Sequence, residues 1–326
     1  MHAVEDVTAW PTHGEEQVGS KPKAWLLDPQ RNRWLWKQPR LGTGEHWAEV
    51  VAANVAQTLG IPHAEVRLAQ RGIIIGSIAR DFRGDLGRRP ELVLGNTLLA
   101  TKIADYDRRA AKPPLHTVDA VLDLLTDPDI APPPCDEPLS RIATARGFFV
   151  GYLLLDALVG NTDRHHENWG LIVRRWEDHV VASQTMQFGG NYQDALNRVS
   201  WELAPTFDHA SSLGRDIDDA TRERRLAGRD PRFTVEHYCA RGRSPLFTAT
   251  SPPRQLTTRE ALARAIEILP EAGACWLDRL ASVSPEQFDA PVDALPPSVA
   301  SDSARGFAKA VLASNRKHLL SLRSRS

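Results

Sequence analysis

Three side chains carry oxygen where a metal-assisted group transfer would use it. Asp163 and Asn168 lie five residues apart in the polar run Asn161-Thr162-Asp163-Arg164-His165-His166-Glu167-Asn168. A carboxylate in that position accepts or orients the proton of an attacking hydroxyl. The loop then turns so that the carboxamide carbonyl meets a metal ion on nucleotide phosphates. A second carboxylate, Asp208, follows Ala204-Pro205-Thr206-Phe207 and precedes small polar residues. It suits Mg²⁺, which takes hard oxygen ligands and keeps several waters. Alone, Asp163 and Asn168 would equally cap a helix and shape a turn. The helix before them, the strand after them and Asp208 together favour the chemical reading.

Other polar groups nearby have plainer roles. His165, His166 and His209 invite a zinc reading, but adjacent loop histidines usually diverge and no cysteine lies near them. Arg164 and His165 are instead expected to brace the loop by hydrogen bonds. Asp156 falls inside an apolar helix, where an unpaired carboxylate would be costly. It is expected to orient the loop, not to react.

The elements that must position these groups follow from the pattern. Arg141 to Val159 forms a helix whose middle, Phe148 to Leu155, is apolar on every side, as a central buried helix requires. Trp169–Val173 reads as the strand after the polar run. In the N-terminal half, Lys23–Leu27 and Arg33–Lys37 flank the turn-forming Asp28-Pro29-Gln30-Arg31-Asn32 and predict a hairpin. Glu45–Leu59 has helical spacing, with Trp47, Val50, Val51, Val55 and Leu59 on one face, and Gly60 and Pro62 stop it. Two strands follow, Ala64–Leu68 and Gly72–Ile78. Residues 106–140 read as a surface connection with a short helix near Val118–Leu125. Residues 258–323 read as helices, the last starting near Ser301 or Asp302. The expectation is an α+β chain with a loose tail over 1–15, a small β-rich lobe over 16–105 and a large, mainly helical lobe over 106–326.

Composition excludes several alternatives. The chain has 326 residues, 42% of them hydrophobic, and a net charge of −1. That is ample for a core and gives no basis for bulk nucleic-acid or membrane binding. No apolar run of about 18 residues predicts a membrane span. The acidic start, MHAVEDVTAWPTHGEE, does not read as a secretory signal. Cys135, Cys239 and Cys275 are too scattered for a disulfide framework and predict reduced thiols in the cytoplasm. The charged stretch from Arg215 to Arg232 is either a solvated, self-neutralising loop or an activation-loop-like segment that contacts substrate. Its mixed signs do not make a nucleic-acid patch.

The segments NTDRHHENWGLIV and LAPTFDHASSLG resemble the catalytic region of HipA-like serine/threonine kinases, relatives of protein and phosphoinositide kinases. Val18-Gly19-Ser20-Lys21-Pro22-Lys23-Ala24 resembles the family's phosphate loop, and Trp34-Leu35-Trp36-Lys37 its lysine-bearing strand. Trp47-Ala48-Glu49 resembles the helix whose glutamate pairs with that lysine. Arg80-Asp81-Phe82 falls where the interlobe, adenine-binding segment would lie, and Leu94–Leu99 also has the family's look. The resemblance runs from about Gly19 to the C-terminus and implies a two-lobed protein-kinase-like fold with ATP and Mg²⁺ in the cleft. It implies Asp163 as catalytic base, Asn168 and Asp208 on magnesium, and Lys37 on the phosphates with Glu49 orienting it. Gly19, Ser20, Lys21, Pro22 and Lys23 would cradle phosphate, with Asp81, Phe82 and His165 also contacting nucleotide.

The implied acceptor is a protein serine or threonine, and an antitoxin or regulator is a partner the family allows. A phosphoinositide or other small-alcohol kinase, and a nucleotide-binding pseudokinase, stay open as alternatives. The chain departs from the family in two places. About 18 residues precede the phosphate loop, against the extra N-terminal region with which the longer toxins contact a DNA-binding antitoxin. Val18 stands where many members carry an inhibitory, autophosphorylated serine.

Overall fold

A computed structural model describes residues 2–15, 22–84, 90–135, 142–175 and 199–323. In chain order the smaller half holds β1 (Val4–Asp6), β2 (Thr12–Glu15), β3 (Lys23–Leu27), β4 (Arg33–Lys37), α1 (Glu45–Thr58), β5 (Val66–Arg71) and β6 (Ile74–Arg80). The strands form one six-stranded sheet in the order β1-β5-β6-β4-β3-β2. The expected strand, strand, helix, strand, strand order is present as β3, β4, α1, β5 and β6.

Alternation explains how this sheet is held. Ala24, Leu26, Trp34 and Trp36 point to one face of the hairpin and join Val7, Ala69 and Ile78 in a small core. Trp10 packs against that core, with its ring 6.3 Å from Trp34. This overturns the expected loose tail over 1–15. β1 pairs in parallel with β5, Val4 opposite Leu68, and β2 pairs antiparallel with β3. Burying Val7 and Trp10 and satisfying the two sheet edges is what orders a segment whose sequence is mostly polar.

The larger half begins with β7 (Glu91–Leu94), followed by α2 (Gly95–Lys102), α3 (Val118–Leu124), β8 (Ile130–Ala131), α4 (Ala145–Val159), β9 (Gly170–Arg175) and β10 (Val199–Leu203). It continues through α5 (Asp219–Ala227), a 3₁₀ turn (Pro231–Phe233), α6 (Val235–Ala240), β11 (Arg243–Phe247) and β12 (Gln255–Thr257). The helices α7 (Thr258–Ile268), α8 (Pro270–Ser282), α9 (Pro285–Asp293) and α10 (Asp302–Leu320) complete it. β7 pairs with β9 in a sheet ordered β7-β9-β10-β8, so the chain has crossed to the larger lobe before Glu91. The expected boundary at 105 lies too late, because a short strand reads alike whichever sheet receives it.

α4 is the axis of this lobe. Thr144 caps it by accepting from the Gly147 amide, so it starts at Ala145 and not at Arg141. Phe148 to Val159 are buried without interruption, against α7, α8 and α10. A side chain such as Phe149, fully buried here, contributes roughly 1.5–3 kcal/mol. Gly160 ends the helix at φ 68°, a left-handed conformation open to glycine without strain, and turns the chain into the polar run. Among the described residues, no helix is long and apolar enough to cross a membrane.

Candidate active site

The register of the first hairpin sets one side of the site. Lys23 and Lys37 are directly opposite each other across β3 and β4. Their side chains therefore share a face, an arrangement of like charges that is destabilising without an anion between them. Asp208 supplies one: its carboxylate lies 3.2 Å from Lys37 Nζ and 3.9 Å from Lys23 Nζ. Helix α1 presents the second partner, with Glu49 Oε1 2.5 Å from Lys37 Nζ. Glu49 is almost wholly buried, and its other oxygen accepts from Ser77 Oγ at 3.1 Å. Ser77 sits opposite Lys37 in the β4–β6 pairing, which is why it reaches Glu49. Burial works against the Lys37 ammonium, but the Asp208 and Glu49 carboxylates outweigh it and raise its pKa above the ordinary lysine value.

The opposite side is the polar run after α4. Arg164 is wholly buried and forms a bidentate pair with Asp156, Nε to Oδ2 and Nη2 to Oδ1 each at 2.8 Å. Arg164 Nη1 donates to the Asn168 carbonyl at 2.6 Å, and Asn161 Nδ2 to Asp156 Oδ1 at 2.8 Å. The carboxylate inside the apolar helix thus finds its partners in the loop and fixes the loop at both ends. Asn161 Oδ1 accepts from the Asp163 amide at 3.1 Å, leaving the Asp163 carboxylate turned outward with its side chain 50% exposed. An incoming hydroxyl has access to it. Ser211 Oγ already donates to Asp163 Oδ2 across 3.4 Å.

Asn168 Nδ2 donates to the Asp163 carbonyl at 2.6 Å. That bond fixes the amide orientation, and the Asn168 Oδ1 acceptor meets no donor among the described residues. Asp208 adopts φ 57°, an uncommon left-handed backbone for a non-glycine residue and one that recurs at functional sites. Around it, the buried His209 accepts or donates at Nε2 to Thr206 Oγ1 across 2.8 Å. Burial, with the nearby Arg164 charge, pushes the His209 pKa well down, so this ring is neutral. The loop histidines diverge as expected: His166 meets the Tyr106 hydroxyl at 2.8 Å, while His165 Nδ1 accepts from the Glu167 amide at 3.1 Å. His165 Nε2 lies 3.9 Å from Asp163 Oδ1.

These groups converge. A cavity of about 160 Å³ is lined by Lys23, Lys37, Glu49, Asp163, His165 and Asp208, with Ser77 and Ser211 on its walls. Gly19, Ser20 and Lys21 lie outside the described residues, and Pro22 is seen accepting from the Gln38 amide at 3.3 Å. Asp81 and Phe82 are not on the cavity wall. The Asp81 carboxylate is engaged by Arg83 at 2.8 Å and Arg33 at 3.4 Å, and Phe82 packs 5.6 Å from Phe207, beside Asp208. Asn168 is not on the cavity wall either and is tied to it through the Asp163 carbonyl.

Sequence reasoning missed Ser77, Ser211 and the tie between Glu45, at the start of α1, and Arg215, after Asp208. Only strand register and tertiary contact reveal them. It also left unexplained why Gly95 opens α2. A Cβ there would meet the Trp169 ring at 2.3 Å, and the Gly95 amide donates to the Trp169 carbonyl at 2.9 Å. The Asn96 amide bonds the His166 carbonyl at 2.8 Å, so this turn clasps the far side of the run from Asn161 to Asn168.

A small six-stranded sheet with one helix, a large helical lobe and these charged groups between them define a two-lobed, protein-kinase-like fold. Solved structures have the same architecture. The chain is similar to the Helicobacter pylori proinflammatory kinase CtkA, with a TM-score of 0.71 and 18% identity over 99% of this chain and 98% of that one. It is also similar to HipA of the Shewanella oneidensis MR-1 toxin–antitoxin system, solved with HipB and operator DNA. That TM-score is 0.54, at 13% identity, over 97% of this chain and 66% of the HipA chain. Neither a family model nor a curated protein sequence matches. The fold is therefore that of HipA-like kinases.

Proposed function

We propose that this chain transfers the γ-phosphoryl group of ATP to a serine or threonine hydroxyl of a protein. The observation that carries this reading is the meeting of Lys37, Glu49, Asp163 and Asp208, drawn from four separated segments, on one cavity between the lobes. Lys37, held charged by two carboxylates, would contact the nucleotide phosphates. Lys23 stands ready beside it, and the backbone from Gly19 to Lys23 would complete the phosphate cradle.

The donor set fits magnesium: the Asp208 carboxylate and the Asn168 Oδ1, whose own amide nitrogen is already engaged, are hard oxygens. Bound there, Mg²⁺ would neutralise charge on the phosphates as it shifts toward the acceptor. Asp163 would hold the acceptor hydroxyl and take its proton, while His165 and Ser211 limit where its carboxylate can point. Catalysis on this reading is positioning plus charge neutralisation. Three scattered cysteines, Cys135, Cys239 and Cys275, fit a cytoplasmic setting on this reading.

The test is incubation of the purified chain with γ-labelled ATP and Mg²⁺ beside Asp163→Ala. Label should pass to the protein itself or to a generic acceptor, and the variant should be slower by about 10²–10⁴-fold. Equal transfer by the variant would remove Asp163 from the mechanism. ATP binding without transfer in the parent would make the chain a binding module. The HipA neighbour belongs to a toxin–antitoxin system. If this chain has a like role, its expression arrests growth and Asp163→Ala relieves the arrest.

A further inference from the structure

A second, larger cavity of about 670 Å³ adjoins the first in the large lobe. Thr162, next to Asp163, lies on its wall, and Ser211 lines both cavities. A chain lying in the second cavity can therefore present a hydroxyl to the exposed Asp163 carboxylate past Ser211. Its wall is one-sided in charge. Lys112, Arg215, Arg225, Arg232, Arg241 and Arg243 line it, and Asp216 is the single acid on it among the described residues.

Four of these six cations, Lys112, Arg225, Arg241 and Arg243, meet no acidic side chain among the described residues. Arg215 pairs with Glu45 and Arg232 with Asp230. Arg225 and Arg243 donate to carbonyl oxygens, those of Thr234 at 3.3 Å and Gln255 at 3.0 Å. The Arg225 Nε is shielded from solvent and meets no acceptor among the described residues. Lys112 and Arg241 are exposed and meet no acidic side chain among the described residues. A cleft lined by one sign of charge concentrates ligands of the opposite sign. Guanidinium groups match carboxylate geometry with paired hydrogen bonds.

We infer that this basic trough is the acceptor-docking site and that it selects a serine or threonine flanked by acidic residues in an extended peptide segment. The inference rests on the reading of the neighbouring cavity as a phosphoryl-transfer site. It also decides the role of the charged stretch from Arg215 to Arg232, which contributes Arg215, Arg225 and Arg232 to the trough. A peptide fits better than a compact headgroup. The cations come from well-separated segments, and Lys112, Arg232, Arg241 and Arg243 are exposed, Arg232 with 87% of its side chain accessible, instead of converging in a closed pocket.

The experiment uses the full chain and three labelled serine peptides, flanked by glutamate, alanine or lysine. Binding is followed by fluorescence anisotropy and phosphoryl transfer by KM and kcat. The glutamate peptide should bind and react with a KM at least about tenfold below the alanine peptide, with the difference shrinking in high salt. Lys112→Glu/Arg241→Glu should erase that preference while the affinity for ATP holds. Asp163→Ala should keep the peptide bound and lose transfer. Because binding is read without turnover, failure of the catalytic reading and failure of this one are separable. No transfer with selective, charge-dependent peptide binding would sink the first and sustain the second. Indifference to the flanking residues, or no effect of the charge reversal, would overturn the docking site. Displacement of the glutamate peptide by vesicles containing phosphatidylinositol phosphate, at lower concentration than by unlabelled peptide, would overturn it in favour of a headgroup site.

Discussion

The two sides of the cleft hold their charges in opposite ways. In the large lobe, Arg164 and Asp156 are buried together, and each is paired and hydrogen-bonded within the same lobe. Across the cleft, one lysine is divided between Glu49 of the small lobe and Asp208 of the large, and Asp208 is shared in turn with Lys23. The first arrangement is closed, with no capacity left for a ligand. The second has partners that the proposed function would exchange: a cation would take over Asp208, and a phosphate would take over the lysines. What must keep its geometry is neutralised internally, and what must change partners is neutralised across a cleft. Ligands should act on the second and leave the first unchanged.

Breaking the closed side gives the largest effect. Asp156→Ala leaves the Arg164 guanidinium buried without its counter-charge, which should cost about 3–5 kcal/mol in unfolding free energy by denaturant titration. Activity should fall with it, because Asn161 and Arg164 lose the group that aligns the loop. A loss below about 1 kcal/mol would mean that backbone contacts such as the Asn96 amide on the His166 carbonyl already suffice.

The exchangeable side answers to ligand. ATP with Mg²⁺ at 100 times its dissociation constant should stabilise the parent chain by about 2.7 kcal/mol, read as a rise in unfolding midpoint. Asp208→Asn should lose most of that rise at the same concentrations, since it removes the charge of the proposed metal ligand and one of the two carboxylates on Lys37. An undiminished rise in the variant would place metal and nucleotide elsewhere and dissolve the contrast between the two sides.

The difference also explains what the sequence made legible. The Asp163–Asn168 spacing, the odd carboxylate in an apolar helix and the Lys37 hairpin are local signals, because turn chemistry and periodicity act over a few residues. The partner of Asp156 was predictable in kind, since burial demands one. Contacts set by strand register were not. Ser77 reaches Glu49 only because β6 lies beside β4, and Val4–Asp6 becomes a strand only because β5, some sixty residues later, offers an edge. Val-Glu-Asp and Thr-His-Gly-Glu carry little apolar alternation, so their pairing is driven by the backbone and leaves no pattern to read. The same holds for β7, whose sheet is decided by β9.

Acid probes the closed side from beneath. His116 is fully buried under the run from Asn161 to Asn168, where Trp169 Nε1 donates to its Nε2 at 3.2 Å and its Nδ1 meets the Pro245 carbonyl at 3.3 Å. Burial first, then the neighbouring His166, His165 and Arg164, push its pKa down to about 3, against a pull upward from the Pro245 carbonyl. In the unfolded chain the same ring takes a proton near 6.5. The folded pKa is the lower of the two, so the unfolded state binds the extra proton and stability is lost as pH falls below about 6.5. Between pH 7 and pH 5 this histidine alone should remove about 2 kcal/mol. His116→Gln, whose side-chain oxygen can still accept from Trp169, should be less stable at pH 7 but show a correspondingly flatter decline to pH 5 in denaturant titrations. Parallel declines would mean that the acid sensitivity belongs to other buried histidines such as His209, beside Asp208, and would move the acid-labile point from the braced loop to the exchangeable side.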